Sequence, residues 1–294
     1  MDAPPSSSPA SIALIGAGKV GTAVAHLLEQ AGHAVLAVAS RTDVSAQAAA
    51  ARLRAHVFRI DDAALPSADV YLLGVPDDAI EPLARDLSGR VPREAIVVHL
   101  AGVFGTEPLS SLESTGNRVA ALHPVQACPD IDTAIRRLPG SCWGVTCSAE
   151  LEDWARRLVV DDLRGAPVMV PEESRPLWHA ASVMTSNGIA AVMGLGESFL
   201  GLAGISPDAV VLGPLAAGTV QNAREGGGGS ATLTGPIVRG DLSTIERHLD
   251  ALSTAGGPAR AHYVLVARAI LMAAVAGGRI TAHQGVRIEE ALKG

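Results

Sequence analysis

The sequence predicts a doubly wound parallel α/β sheet followed by an all-α domain. Three observations predict this fold: apolar runs alternate with helix-like segments up to about residue 170, the first run ends in a glycine-rich turn, and the apolar period beyond Pro171 is helical. The 294 residues suit one large or two ordinary domains, and the 48% of them that are hydrophobic are ample for burying a core. We predict a disordered tail over residues 1–10, a sheet domain over 11–171 and a helical domain over 172–294.

The first strand-to-helix turn carries three glycines at the spacing that binds a pyrophosphate. After the apolar run 12–15 the chain reads Gly16-Ala17-Gly18-Lys19-Val20-Gly21. Gly16 permits a tight turn, Gly18 lets the backbone approach phosphates, and Gly21 lets the helix pack against the strand. Glycines also end strands for turn geometry alone. Here the helical pattern that follows and a second apolar run at 34–39 complete a βαβ unit, which predicts a dinucleotide site.

The end of the second strand bears on which dinucleotide binds. An NAD site usually places a carboxylate there, because a carboxylate accepts hydrogen bonds from the ribose hydroxyls. This chain has Ser40, Arg41 and Thr42 instead, and hydroxyls with a guanidinium suit a 2′-phosphate. These residues favour NADP(H), while Asp43 keeps NAD open, since the register of a strand end is uncertain by a residue or two.

Six further strands are predicted at residues 55–60, 69–75, 95–99, 118–123, 143–147 and 166–170, with a helix at 150–163. Ligands of open α/β sheets bind beyond the carboxyl ends of the strands. We expect Val75, Pro76 and Asp77 to pass over the nicotinamide ribose. His99 and His123 end the next two strands, and each suits holding a loop by hydrogen bonding as well as it suits proton transfer or cofactor contact.

Helices of the second domain are predicted at residues 174–204, 207–225, 242–253 and 258–277. The first would place His179 and Asn187 on one face with Ser186 beside them, either lining a site or satisfying each other's neighbours in a helical core. Thr234 and Arg239 are candidates for binding a substrate carboxylate. The alternative is that Thr234 belongs to a helix-ending turn and that Arg239 pairs with Asp241.

Composition excludes several classes of function. The net charge of −7 and the absence of a Lys/Arg cluster argue against a nucleic-acid partner. Residues 176–196 carry no formal charge and are long enough to span a bilayer, but their polar side chains favour a buried helix, so we expect no membrane association. Three cysteines without a CxxC pattern indicate reduced thiols and a cytoplasmic protein.

With these motifs, the chain resembles a known family in which a Rossmann-like domain precedes a helical domain of unknown function, DUF2520. This family lies in the wider group of pyrroline-5-carboxylate reductases, ketopantoate reductases and 6-phosphogluconate-type dehydrogenases. The resemblance covers nearly all of the chain from Ser11 onward. The segments that carry it are the glycine turn, 75–77, 99–102, 123–124, 178–181 with 186–187, and 234–236 with 239–241.

The resemblance implies an NADP-dependent oxidoreductase, with some members similar to alternative ketopantoate reductases. It also implies a homodimer formed through the C-terminal domain, as in relatives whose active site takes residues from both subunits. Two departures stand out. Related dehydrogenases place a lysine on the long helix, with an asparagine one turn later, whereas here His179 stands near the lysine's place and Asn187 lies two turns on. The usual serine after the fifth strand is Ala101.

The leading hypothesis is an NADPH-dependent reductase of a small carboxylate-bearing carbonyl or imine compound, acting by direct hydride transfer without a metal. It would be ketopantoate reductase-like or pyrroline-5-carboxylate reductase-like. His179, or failing that His123, would supply the proton, and Asn187 and Ser186 would orient the substrate. The alternatives are an NADP(H)-binding sensor or scaffold without turnover, and a deazaflavin-dependent NADP reductase.

Overall fold

An eight-stranded sheet forms the first part of the chain, with strand order β3-β2-β1-β4-β5-β6-β7-β8. The computed structural model describes residues 9–206 and 209–293. Residues 1–8 of the predicted tail and Pro207, the predicted start of a helix, lie outside them. The strands are β1 Ser11–Ile15, β2 Ala34–Ala39, β3 His56–Val57, β4 Val70–Leu73, β5 Ile96–His99, β6 Arg118–Pro124, β7 Cys142–Cys147 and β8 Ala166–Met169. The first six follow the doubly wound order, as predicted.

The seventh strand is the exception to the parallel order. It pairs antiparallel with β6, with Trp143 opposite Pro124, and parallel with β8. The chain turns back at the edge where β6 ends, and the Val125 N–H donates to the carbonyl of Cys142 at 2.8 Å. Because this connection returns at the same edge without crossing the sheet, β7 runs backward beside β6.

The helices of the first unit cover both faces of the sheet. They are α1 Lys19–Gln30, α2 Asp43–Leu53, α3 Asp77–Leu87, α4 Ser110–Glu113, α5 Ile131–Arg137 and α6 Glu152–Arg157. The predicted helix at 150–163 is three consecutive pieces, a 3-10 turn at Ala149–Leu151, α6 and a π turn at Leu158–Asp162. Alternate residues of each strand face opposite cores, so Ile12 and Leu14 pack in one apolar cluster and Ala13 and Ile15 in the other. Burial on both faces explains why these strands read as continuous apolar runs.

The second unit is helical, and the division between the two units falls between Met184 and Thr185, inside the long helix. Its helices are α7 Arg175–Leu202, α8 Ala209–Glu225, α9 Pro236–Arg239, α10 Leu242–Ala255, α11 Ala259–Ala276 and α12 Ala282–Lys293. Its core lies among α10, α11 and α12, around Ile245, Leu271 and Ile288. The part of α7 in this unit and the described side chains of α8 contribute no fully buried residue.

One helix of the described residues, α11, is long and apolar enough to cross a membrane by length and composition. Core helices of soluble proteins meet the same criterion, and Val264, Ala267 and Leu271 of α11 pack in the core of the second unit. The helix is therefore weak evidence for membrane association.

Candidate active site

The glycine turn packs against the end of β4. Gly16 has φ +96°, and a Cβ there would lie 2.6 Å from the carbonyl carbon of Gly74. A Cβ on Gly21 would lie 2.9 Å from the Gly74 Cα, and one on Gly18 would lie 3.0 Å from the Gly74 oxygen. Gly18 is the N-cap residue of α1 and provides no side-chain cap, which leaves the N–H groups of the first turn to a ligand. The turn therefore has the shape of a pyrophosphate cradle.

Sequence reasoning missed Gly74, whose role depends on the pairing of β1 with β4. A Cβ on Gly74 would lie 2.6 Å from the Gly16 oxygen. The sequence feature that could have revealed this role is the position of Gly74 directly after the fourth apolar run. It is followed by half-buried Val75 and exposed Pro76, the N-cap residue of α3, and then by exposed Asp77, which begins that helix. The segment predicted to pass over the nicotinamide ribose thus lies directly beside the glycine turn.

A cavity of about 440 Å³ opens where β2 ends. Its lining includes Ser40 and Arg41, whose predicted contact with a cofactor stays a prediction, and Arg59 and Arg90, which sequence reasoning missed. The carboxylates of Asp43, Asp61 and Asp86 line the same cavity. Arg59 Nε donates to Asp61 at 3.1 Å, while Arg90 donates to the carbonyl oxygens of Ile60 and Asp62. Three guanidinium groups and three carboxylates thus line one cavity, and Arg59 Nη1 also lies 3.7 Å from Asp43 Oδ1.

Thr42 has a structural task in this region. Its hydroxyl caps α2 by accepting the Ser45 N–H at 3.3 Å, and it donates to the Ser45 hydroxyl at 2.9 Å. A Thr side chain commonly caps a helix in this way. The predicted contact of Thr42 with the cofactor therefore competes with an N-cap role.

His99, at the end of β5, holds the loop that follows it. Its side chain is fully buried, its Nδ1 accepts the Ala101 N–H at 3.1 Å, and its Nε2 lies 2.6 Å from the Gly105 carbonyl oxygen. An amide N–H can only donate and a carbonyl can only accept, so the ring is neutral with its proton on Nε2. Burial lowers the pKa of His99 to about 4. This geometry favours the loop-holding interpretation over contact with a cofactor.

The far end of the same loop is fixed by Glu172. Its carboxylate accepts the Thr106 N–H at 2.8 Å and the Glu107 N–H at 3.4 Å. Gly105 leaves no room for a Cβ against that carboxylate. The loop is therefore held at both ends, by His99 and by Glu172, and Gly102 lies between them.

Three segments of the first unit bring two imidazoles together over this loop. The rings of His123, near the end of β6, and His179, in the second turn of α7, meet edge to face with centroids 5.6 Å apart. Trp178 Nε1 donates to His123 Nδ1 at 3.0 Å. A Cβ on Gly102 would lie 2.5 Å from His179 Cδ2 and 2.8 Å from His123 Nε2. We call His123, Trp178, His179 and Gly102 the imidazole cluster.

Buried Arg175, the first residue of α7, lies behind the imidazole cluster. Its Nε donates to the Thr146 hydroxyl at 2.7 Å, and its Nη2 donates to the carbonyls of Ala121 at 2.8 Å and Gly144 at 3.2 Å. Burial, followed by the positive charges of His179 when protonated and of Arg175, lowers the pKa of His123 to about 4. His123 is thus a neutral imidazole at physiological pH. Sequence reasoning missed Arg175 because nothing local marks an arginine as buried.

The remaining candidates lie in the second unit. Ser186 and Asn187 are exposed on α7, and Thr234 is exposed just before α9. Arg239, the last residue of α9, is exposed with its Nη2 3.9 Å from Asp241, whose carboxylate caps α10 by accepting the Thr244 N–H. So loose an exposed pair contributes little to stability. The predicted roles of these four residues in substrate binding stay predictions.

Comparison with known proteins assigns the two halves of the chain to families. Residues 3–124 match the Rossmann-like domain, and residues 141–270 match the domain of unknown function DUF2520. A search of curated proteins finds no match. Both matched segments agree with the resemblance seen in the sequence.

Solved structures share the fold over most of the chain. A Bacteroides fragilis protein assigned as an NADP oxidoreductase is 25% identical, with a TM-score of 0.72, covering 89% of this chain and 98% of its own. An imine reductase from Myxococcus stipitatus in complex with NADP+ is 17% identical, with a TM-score of 0.65 and coverages of 94% and 99%. A variant of the Myxococcus enzyme in complex with NAD+ is 18% identical, with a TM-score of 0.57 and coverages of 95% and 98%.

Proposed function

We propose that this chain, which belongs to the proteins that join a Rossmann-like domain to a DUF2520 domain, is an NADPH-dependent reductase of a small carbonyl or imine compound that carries a carboxylate. The observation that carries the proposal is the position of the imidazole cluster. The strands that end at the glycine turn and at His123 are parallel members of one sheet, so both features lie at its carboxyl edge. A dinucleotide cradle and a pair of imidazole side chains at one edge suit a reductase.

The cradle fits the pyrophosphate of a dinucleotide, because Gly16, Gly18 and Gly21 leave no space for side chains and α1 offers its N-terminus. Arg41, just after the end of β2, supports NADP(H) over NAD(H), although Asp43, Asp61 and Asp86 also line this cavity. The solved relatives are mixed on this point, since one binds NADP+ and a variant binds NAD+. NADPH, when bound, supplies the hydride.

The protein must then position the acceptor and deliver a proton. Hydride addition to a carbonyl or imine carbon leaves an electron pair on oxygen or nitrogen, which takes up one proton. His179 is the proposed donor, since histidine commonly serves as a general acid and positioned proton transfer contributes about 10²–10⁴-fold. His179 is only half-buried, so it can exchange its proton with solvent between turnovers.

A homodimer through the helical unit is part of the proposal. Within the second unit, six described large apolar residues of α7 and α8 are more than one third exposed, namely Ile189, Val192, Leu202, Val211, Leu215 and Val220. The two helices also flank a groove of about 720 Å³. So much exposed apolar surface suits a second copy of the chain. Light scattering that gives the mass of a single 30.0 kDa chain would exclude the dimer.

The test is NADPH oxidation by the purified protein, followed by the loss of NADPH absorbance. The acceptors are ketopantoate, other branched 2-keto acids and cyclic imines such as pyrroline-5-carboxylate, with NADH run in parallel. Turnover of one acceptor with NADPH supports the reductase. Tight NADPH binding without oxidation by any acceptor contradicts it and supports a sensor, while deazaflavin absorbance in the purified protein would identify a different hydride partner.

A further inference from the structure

We propose that His123 is a neutral hydrogen-bond donor, through Nε2–H, to the carbonyl oxygen that is reduced, and that Trp178 is the positioning residue that fixes this tautomer. The inference rests on the proposed reductase activity and divides the work of the two imidazoles. His123 polarises the acceptor, and His179 supplies the proton. The substrate class narrows accordingly to carbonyl compounds.

The tautomer follows from the partner of Nδ1. The Trp178 indole N–H can only donate, and it points at His123 Nδ1 from 3.0 Å. Nδ1 must therefore present its lone pair, and the single proton of the neutral ring lies on Nε2. Protonation of the ring would set two N–H donors against each other, so the Trp178 contact and the buried Arg175 both oppose an imidazolium here.

His99 provides an internal comparison. It has the same tautomer, but its Nε2–H is used on the Gly105 carbonyl and its Nδ1 on the Ala101 N–H. No residue that the structure describes accepts a hydrogen bond from His123 Nε2. That nitrogen lies 2.8 Å from the position of a Cβ on Gly102, beside the edge of His179. A side chain at position 102 would collide with both rings, so the glycine keeps the space beside Nε2–H free of a side chain.

The charge around the cluster favours a carbonyl over an iminium ion. A neutral N–H donor stabilises the negative charge that develops on a carbonyl oxygen, as an oxyanion-hole donor does. A protonated imine has no lone pair to accept this bond, and the nearby positive charge of Arg175 opposes it. A 2-keto acid therefore matches the site better than a cyclic iminium.

The first experiment reads the tautomer without any substrate. Nitrogen-15 NMR of the imidazoles in the full-length protein distinguishes Nε2–H from Nδ1–H and from imidazolium, and His123→Gln identifies the His123 signals. We expect neutral Nε2–H at pH 7, and a mixture of tautomers in Trp178→Phe, which keeps an aromatic ring but removes the donor. An imidazolium or Nδ1–H at pH 7 overturns the proposal.

The second experiment measures turnover of the 2-keto acid that gives the highest rate. Trp178→Phe should lower kcat about tenfold, with the KM for NADPH unchanged, because the donor is aligned for only part of the time. Trp154→Phe is the matched control, since it also replaces a half-buried tryptophan, one that lies on α6. A folded Trp178→Phe variant with wild-type kcat overturns the proposal.

A pair of His123 variants covers the case in which Trp178→Phe does not fold. Glutamine places an amide N–H donor near the position of Nε2, whereas alanine places none, so His123→Gln should retain at least about tenfold more kcat than His123→Ala. Equal rates overturn the proposal. If none of the acceptors supports NADPH oxidation by the wild-type protein, the reductase function is contradicted instead. The NMR result still decides the tautomer of His123 in that case.

Discussion

The glycine turn and the imidazole cluster lie at one edge of the same sheet but are built in opposite ways. In the turn, the critical residues are those that lack a side chain, and three of the four glycines fall within six consecutive residues. In the cluster, the chemistry belongs to side chains, and its parts come from the loop after β5, the end of β6 and the start of α7. Backbone shape can be encoded locally, whereas a side-chain constellation requires the tertiary fold.

His179→Ala should give the largest effect and should distinguish the two regions, because it should change turnover without changing NADPH affinity. We expect kcat to fall by about 10²–10⁴-fold while the Kd for NADPH stays within about twofold, because the change removes the proton donor and leaves the cradle intact. Rapid kinetics and NADPH fluorescence titration measure the two quantities. His283→Ala, at an exposed histidine of the second unit, is the control. Unchanged turnover would place proton donation with His123 or with water.

Gly16→Ala should produce the reverse pattern, with weakened NADPH binding and lower stability. The positive φ costs about 1–2 kcal/mol, and the clash of the new Cβ with Gly74 adds about 1–3 kcal/mol. Gly32→Ala is the matched control, because Gly32 has φ +102° but nothing within 4 Å of its Cβ position. Urea unfolding of both variants separates the clash from the backbone strain, and equal losses would contradict a tight contact with β4.

Acid should destabilise the folded protein through His99, which holds the loop that carries Gly102 of the imidazole cluster. His99 is fully buried and its pKa is lowered to about 4, against about 6.5 in an unfolded chain. The unfolded state therefore binds more protons between these values, so stability present above pH 6.5 is lost as the pH falls toward 4, by about 3 kcal/mol for this ring. Urea midpoints across this range test it, and His99→Gln should flatten the dependence.

Arg41→Ala should have the smallest effect, and it tests whether the cofactor site distinguishes NADPH from NADH. Loss of one exposed guanidinium from the 2′-phosphate should raise the KM for NADPH about tenfold, which corresponds to about 1.4 kcal/mol, with little effect on NADH. Arg85→Ala, at an arginine paired with Glu81 on α3, is the control. An equal loss with both cofactors would mean that Arg41 stacks on the adenine instead.

The local parts of the fold could be predicted from the sequence because their physical causes are local. Strands buried on both faces appear as continuous apolar runs, and Gly16, Gly18 and Gly21 record the shape of the backbone directly. The reversal of β7 could not be predicted this way. It depends on the chain turning back beside Pro124, which the residues of β7 do not reveal.

The sequence by itself determined the parallel part of the sheet, the order of the two domains, the glycine cradle and the histidines that end β5 and β6. The tertiary structure decided how those histidines differ. Both ring nitrogens of His99 form hydrogen bonds to the loop that follows it. His123 instead contacts Trp178, His179 and Gly102, and its Nε2 forms no hydrogen bond to a residue that the structure describes. The physical reason is that a histidine's tautomer and charge are set by its neighbours, and here those neighbours are distant in the chain.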